Sequence, residues 1–186
     1  RPMTMTRTEF AKTIDAIAPK GNPHRWIAKV SGDLWLIGSY ASVRITPPIA
    51  NTLHGCGIHV DETELPALIA KAKGASNLEV VAQGDEPGAQ PPASIDRILA
   101  SVTVVDPELE PLKITGVARP MVEMDNTLCY LYGTPDTPMP IKRRLVDLAE
   151  MAYPAGTWRQ AKVNGPCAMF SVDGELMAIT MPVRVS

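Results

Sequence analysis

The apolar residues of this chain change their period early, and that change limits the fold more than any other feature. Phe10, Ile14 and Ile17 fall at i, i+4 and i+7 within residues 6–18, and Pro19 and Gly21 stop the run, so the spacing predicts an amphipathic helix, helix A. Three strand-length runs follow at 26–30, 34–38 and 41–45, with Ser31-Gly32-Asp33 as a tight turn between the first two. A helix with an apolar stripe to bury, followed at once by three short strands, points to an α+β fold in which helices cover a meander.

The pattern then recurs. Residues 57–60 read as a short strand, and Asp61-Glu62-Thr63-Glu64 as the cap of a helix B carrying Leu65, Leu68, Ile69 and Ala72 on one face, with Pro66 in its first turn. Thr8-Glu9-Phe10 through Lys20-Gly21 and Thr63-Glu64-Leu65 through Lys73-Gly74 share a start and a Lys-Gly stop, which reads as an internal repeat. A strand follows at 77–82. The stretch 84–92 holds three prolines and no apolar period, and divides the chain into domains 1–86 and 94–186 joined by a linker at 87–93. Beyond it, strands are expected at 101–105, 112–117 and 128–132, and 134–140 is a turn-rich lead into helix C. That helix directs Ile141, Leu145, Leu148 and Ala152 to a core and ends near 153–156. Strands at 158–163, 168–172 and 176–185 form a second meander.

Composition narrows the class. With 45% hydrophobic and 20% charged residues in 186, the chain can bury a substantial core. Its apolar runs fall short of the roughly 20 residues of a membrane span, and the first residues lack the apolar segment of a secretion signal. Three cysteines, odd in number and far apart, fit a reducing compartment better than a disulfide framework, so a cytoplasmic location is expected. A net charge of −2 excludes a protein that coats itself in nucleic acid through bulk positive charge, but leaves room for a local basic surface.

The tail Ile179-Thr180-Met181-Pro182-Val183-Arg184-Val185-Ser186 is an alternating strand that carries Met-Pro-Val-Arg. It resembles the ending of the bacterial DNA sliding clamp, the β subunit of DNA polymerase III. The order of helix, strand, strand, turn and strand from Pro140-Ile141-Lys142-Arg143-Arg144 through Asp173-Gly174-Glu175-Leu176 is similar to the close of that family. Asp96-Arg97 with Ile98-Leu99 resembles the segment that leads into its last domain. The resemblance implies clamp-like repeats of helix plus antiparallel meander, with curved sheets and helices on one side. It also implies a non-enzymatic, cofactor-free processivity factor of DNA replication, a homo-oligomer that tethers a polymerase to duplex DNA without reading sequence. Inward cations would be Lys12 and Lys20 around helix A, Lys71 and Lys73 at the end of helix B, and Lys142, Arg143 and Arg144 at the start of helix C, touching phosphates. Met181, Pro182, Val183 and Arg184 would edge a groove for a polymerase or clamp-loader peptide. The chain departs from the family in length and in a fourth helix, since Pro107 and Pro111 interrupt 106–111. Lysines at helix ends are also commonly just solvated.

His54-Gly55-Cys56-Gly57-Ile58-His59 is the one cluster of metal-ligand residue types. It supports an alternative, a small hydrolase or metal-binding enzyme using His54, Cys56 and His59. With two glycines and no evident fourth ligand it reads more simply as a turn, so neither a metal nor a catalytic residue is assigned. Trp26, Trp35 and Trp158 fall in expected strands and read as core. No Walker loop, dinucleotide fingerprint, nucleophile elbow or zinc-protease helix occurs. An interaction module without a DNA role is the third possibility.

Overall fold

Helix α1 (Arg7–Ala16) begins with a capping box: Thr6 Oγ1 accepts from the Glu9 amide at 3.2 Å, and the Glu9 carboxylate accepts from the Thr6 amide at 3.4 Å. The computed structural model describes residues 4–19, 21, 24–71, 76–84, 86–87, 122–124, 127–133, 138–160 and 165–183. The far end of α1 is closed by a side chain from the next element. Arg25 donates from Nε to the Ile14 carbonyl at 2.8 Å, and from Nη2 to those of Asp15 at 2.6 Å and Ala18 at 3.3 Å. A buried guanidinium thus adds donors to the carbonyls at the end of α1 and just beyond it, where, among the described residues, only Ile14 O also accepts a backbone amide, that of Ile17 at 3.4 Å.

Strands β1 (Arg25–Val30), β2 (Asp33–Gly38) and β3 (Ala41–Arg44) form the expected antiparallel meander. Ser31 and Gly32 both have positive φ, 50° and 88°, as the two-residue turn of a twisted hairpin requires. Gly38 is needed for close approach: a Cβ there would lie 2.5 Å from the Ile17 carbonyl oxygen.

The next segment departs from expectation. The second helix is α2 (Pro47–Gly55), not residues 61–74. Pro47 and Pro48 occupy its first turn, where a missing amide costs little, and Ile49 and Leu53 are its buried pair. Residues 57–60 form no strand. Glu62–Glu64 is a single 3-10 turn capped by Asp61, and β4 (Ala67–Lys71) stands where helix B was expected. Leu65, held extended at φ −91° and ψ 151°, precedes Pro66, and that environment disfavours helical geometry. The repeat drawn between residues 8–21 and 63–74 therefore fails: among the described residues the first copy is a helix and the second, to Lys71, is a turn and a strand. β5 (Leu78–Gln83) follows as expected.

The strands expected at 101–105 and 112–117, the 94–99 segment, the broken helix at 106–111 and residues 88–93 of the linker lie outside the described residues. β6 (Val122–Met124), β7 (Thr127–Gly133) and β8 (Pro138–Lys142) make a small antiparallel sheet. β8 occupies part of what was expected to be a turn. Its prolines, Pro138 and Pro140, lie two apart on a strand at the end of that sheet, so both missing amides can face off the ladder. Helix α3 (Arg143–Ala152) then leads into β9 (Thr157–Gln160), β10 (Cys167–Phe170) and β11 (Leu176–Thr180), a second antiparallel meander.

The two meanders join through their last strands, β3 against β11 with Val43 opposite Ala178, in an eight-stranded sheet of order β5-β4-β1-β2-β3-β11-β10-β9. Segments 1–86 and 94–186 therefore share one sheet. They also share one core: Phe10, Ile14, Leu36, Val43, Leu53, Leu145, Leu148 and Ala178 belong to a single buried cluster. All three described helices contribute to it, on one face of the sheet. The other face is buried as well, with Trp26, Trp35 and Ile37 in one cluster and Ala168, Phe170 and Ile179 in another. The fold is α+β, and the central strands are apolar on both sides rather than alternating.

Candidate nucleic-acid and partner interface

The tail residues are pinned by the β2–β3 turn of the large sheet and by β8 of the small one. The Met181 amide donates to the Tyr40 carbonyl at 2.9 Å, and the Val183 amide to the Pro140 carbonyl at 2.8 Å. Pro140 faces off its own ladder, so the chain after β11 lies along the outer edge of β8. Pro182 is buried, while Met181 and Val183 are half-buried. Arg184 lies outside the described residues. Beside the tail, Tyr40 is 37% exposed and the Lys142 ammonium sits 5.2 Å from its ring centroid. Tyr40 was not singled out from the sequence, and Pro140 only as the start of the segment leading into helix C, because they meet the tail through pairing between distant segments.

Five of the seven expected phosphate contacts, Lys12, Lys71, Lys142, Arg143 and Arg144, fall among the described residues, on α1, β4, β8 and α3. Lys12 is exposed on α1, and Arg143 and Arg144 are exposed in the first turn of α3. Lys142 is half-buried over Tyr40. Lys71 ends strand β4 rather than a helix, which removes it from any helical face. Lys20 and Lys73 lie outside the described residues. Arg143 is paired with Asp147 one turn on, Nε to Oδ2 at 3.5 Å. The solvent side of α1 carries Arg7 and Lys12 against Glu9 and Asp15, and α3 carries Arg143 and Arg144 against Asp147 and Glu150. Charge on each helix is balanced, and α3 is buried around most of its circumference.

The His54/Cys56/His59 cluster is divided by burial. His54 ends α2, and His59 follows Gly57, whose φ is 94°. Their imidazoles meet at the surface, Nδ1 to Nδ1 at 3.2 Å. Cys56 is fully buried, with Sγ turned to the Arg7 carbonyl at 3.8 Å. Burial pushes its thiol above the ordinary range, an effect the Arg7 charge partly offsets. That is the environment of a structural thiol, not an activated one. Cys129 and Cys167 are buried as well, and neither is in a disulfide.

No protein-family model matches the sequence, and no curated protein or solved structure matches it either. Among the described residues no helix is long and apolar enough to cross a membrane.

Proposed function

We propose that the chain is a clamp-like, non-enzymatic tether that holds a polymerase near duplex DNA as a homo-oligomer. One observation carries this reading. α1 followed by β1-β2-β3 and α3 followed by β9-β10-β11 have the same element order, join through β3 and β11, and bury both helices against one face of the sheet. A pseudo-symmetric pair of helix-plus-meander units is the plan the tail resemblance implies. Lys12, Arg143 and Arg144 are the exposed cations among the described candidates for phosphate contact, and the rim of exposed Tyr40 with half-buried Met181, Val183 and Lys142 is offered to a partner peptide.

The balanced charge on α1 and α3 means that retention would come from closure around DNA rather than from tight contact. That same balance favours a second reading, an interaction module with no DNA role. Size-exclusion with light scattering, combined with retention on circular and on linearised duplex, separates them. The tether reading expects an oligomer kept by circular DNA and lost from linear DNA. A strict monomer without affinity for duplex or for polymerase-derived peptides sinks it.

A further inference from the structure

The two exposed imidazoles at the end of α2 have the separation of ligands on one metal ion. Zinc-bound imidazole nitrogens lie about 2.0–2.1 Å from the metal, which makes the edge between two ligands of a tetrahedron about 3.3 Å. The His54 and His59 Nδ1 atoms are 3.2 Å apart, within the tolerance of about 0.2 Å that such sites allow. The ring planes stand at 72° with centroids 4.2 Å apart, so the two exposed rings turn outward at their ends for both lone pairs to converge on one ion. Without metal, one ring must donate a proton to the other; a cation replaces that shared proton.

The backbone between the two histidines is fixed before any ion arrives. The Cys56 amide donates to Thr52 O at 3.1 Å, the Gly57 amide to His54 O at 3.0 Å and the Ile58 amide to Leu53 O at 2.9 Å. Cys56 O accepts from the Leu78 amide at 2.9 Å, which ties the loop to β5. Ile58 is buried between the two histidines and anchors the turn from below. Ligands on so constrained a loop bind with little ordering cost.

We propose that His54 and His59 form a two-imidazole site for a divalent transition-metal ion of the zinc or copper(II) class, clipping the last turn of α2 to the segment that leads into β4. Among the described residues no group of three His, Cys, Asp or Glu side chains is placed to hold an ion, so water completes the coordination. This makes the site a surface staple, and Cys56 takes no part in it. The inference is independent of the tether reading.

Isothermal titration of zinc ion into the full chain at neutral pH tests it, with copper(II) electron paramagnetic resonance to count nitrogen ligands. One ion per chain is expected, with a two-nitrogen hyperfine pattern. Loss of an outer-shell partner alone weakens metal sites about 10–100-fold, so His54→Ala and His59→Ala should each weaken binding by at least about tenfold. Cys56→Ser should leave it unchanged. Both histidines are exposed, so the variants should melt as the parent does in the absence of metal. Absence of uptake by the parent chain overturns the proposal, as does uptake that persists in the double histidine variant.

Discussion

The Arg25 cap is the most direct test of how the fold is held together. Its side chain is 7% exposed and donates to the carbonyls of Ile14, Asp15 and Ala18 at the end of α1. Arg25→Met keeps the length and the apolar stem but takes the guanidinium donors from the Asp15 and Ala18 carbonyls and leaves Ile14 O only the 3.4 Å bond from the Ile17 amide. Each buried group left without a partner costs about 1–3 kcal/mol. Arg25 is itself desolvated, as the downward pressure of burial on its pKa shows, and methionine is relieved of that cost. The net loss should be about 3 kcal/mol, or roughly 6–12 °C in Tm for a chain of this size. The Asp15 carboxylate, 3.6 Å from Nη2 and 56% exposed, contributes little because water screens it, so Asp15→Asn should cost less than about 1 kcal/mol. Arg25→Lys should fall between, since one ammonium cannot reproduce the guanidinium fork. Thermal and urea unfolding followed by circular dichroism gives all three values. If Arg25→Met melts with the parent, or if Asp15→Asn costs as much, carbonyl capping is the wrong account.

Three further outcomes are expected. Gly38→Ala forces a Cβ to within 2.5 Å of the Ile17 carbonyl and should destabilise by about 1–3 kcal/mol in urea unfolding, whereas an unchanged midpoint would mean that β2 and the end of α1 separate easily. Burial pushes the Cys167 thiol from 9.0 up to about 12, and moves the Tyr132 hydroxyl upward too. The folded chain keeps a proton that the unfolded chain loses, so this stability is complete below about pH 9 and falls by up to about 4 kcal/mol as pH rises towards 12. Cys167→Val should make the alkaline decline in urea stability shallower, and identical profiles would refute the assignment. If Lys12, Arg143 and Arg144 meet phosphates, duplex affinity should fall with salt at a log–log slope of about −3 for each subunit on the DNA, and Arg143→Gln with Arg144→Gln should reduce that slope by about 2 per subunit. A slope indifferent to those changes removes α3 from the interface.

The elements that were legible in the sequence are those specified by neighbours in the chain. Thr6, Glu9 and the Phe10/Ile14/Ile17 stripe define α1, Ser31-Gly32 defines the first hairpin, and Leu145 and Leu148 define α3. Residues 65–72 misled because Leu65, Leu68, Ile69 and Ala72 fit a helical face, while Ala67-Leu68-Ile69 equally fit a strand buried on both sides. Pro66 and the extended Leu65 decide between them. Two prolines hid α2 and two others hid β8, although Pro47 and Pro48 sit where helices accept proline and Ile49 and Leu53 keep helical spacing. The joining of β3 to β11 left no local trace, because Val43 and Ala178 are far apart in the chain and both are simply apolar. For the same reason the tail's anchors, Tyr40 and Pro140, were invisible. The His54–His59 pair was visible as spacing, but only the buried turn through Ile58 brings the rings together and withdraws Cys56.

Solution X-ray scattering on the purified full chain, at concentrations where light scattering gives one oligomeric state, tests the tether most directly. The account predicts a toroidal envelope with a central hole wide enough for duplex DNA. A compact particle without a hole, unchanged from dilute to concentrated solution, would contradict it.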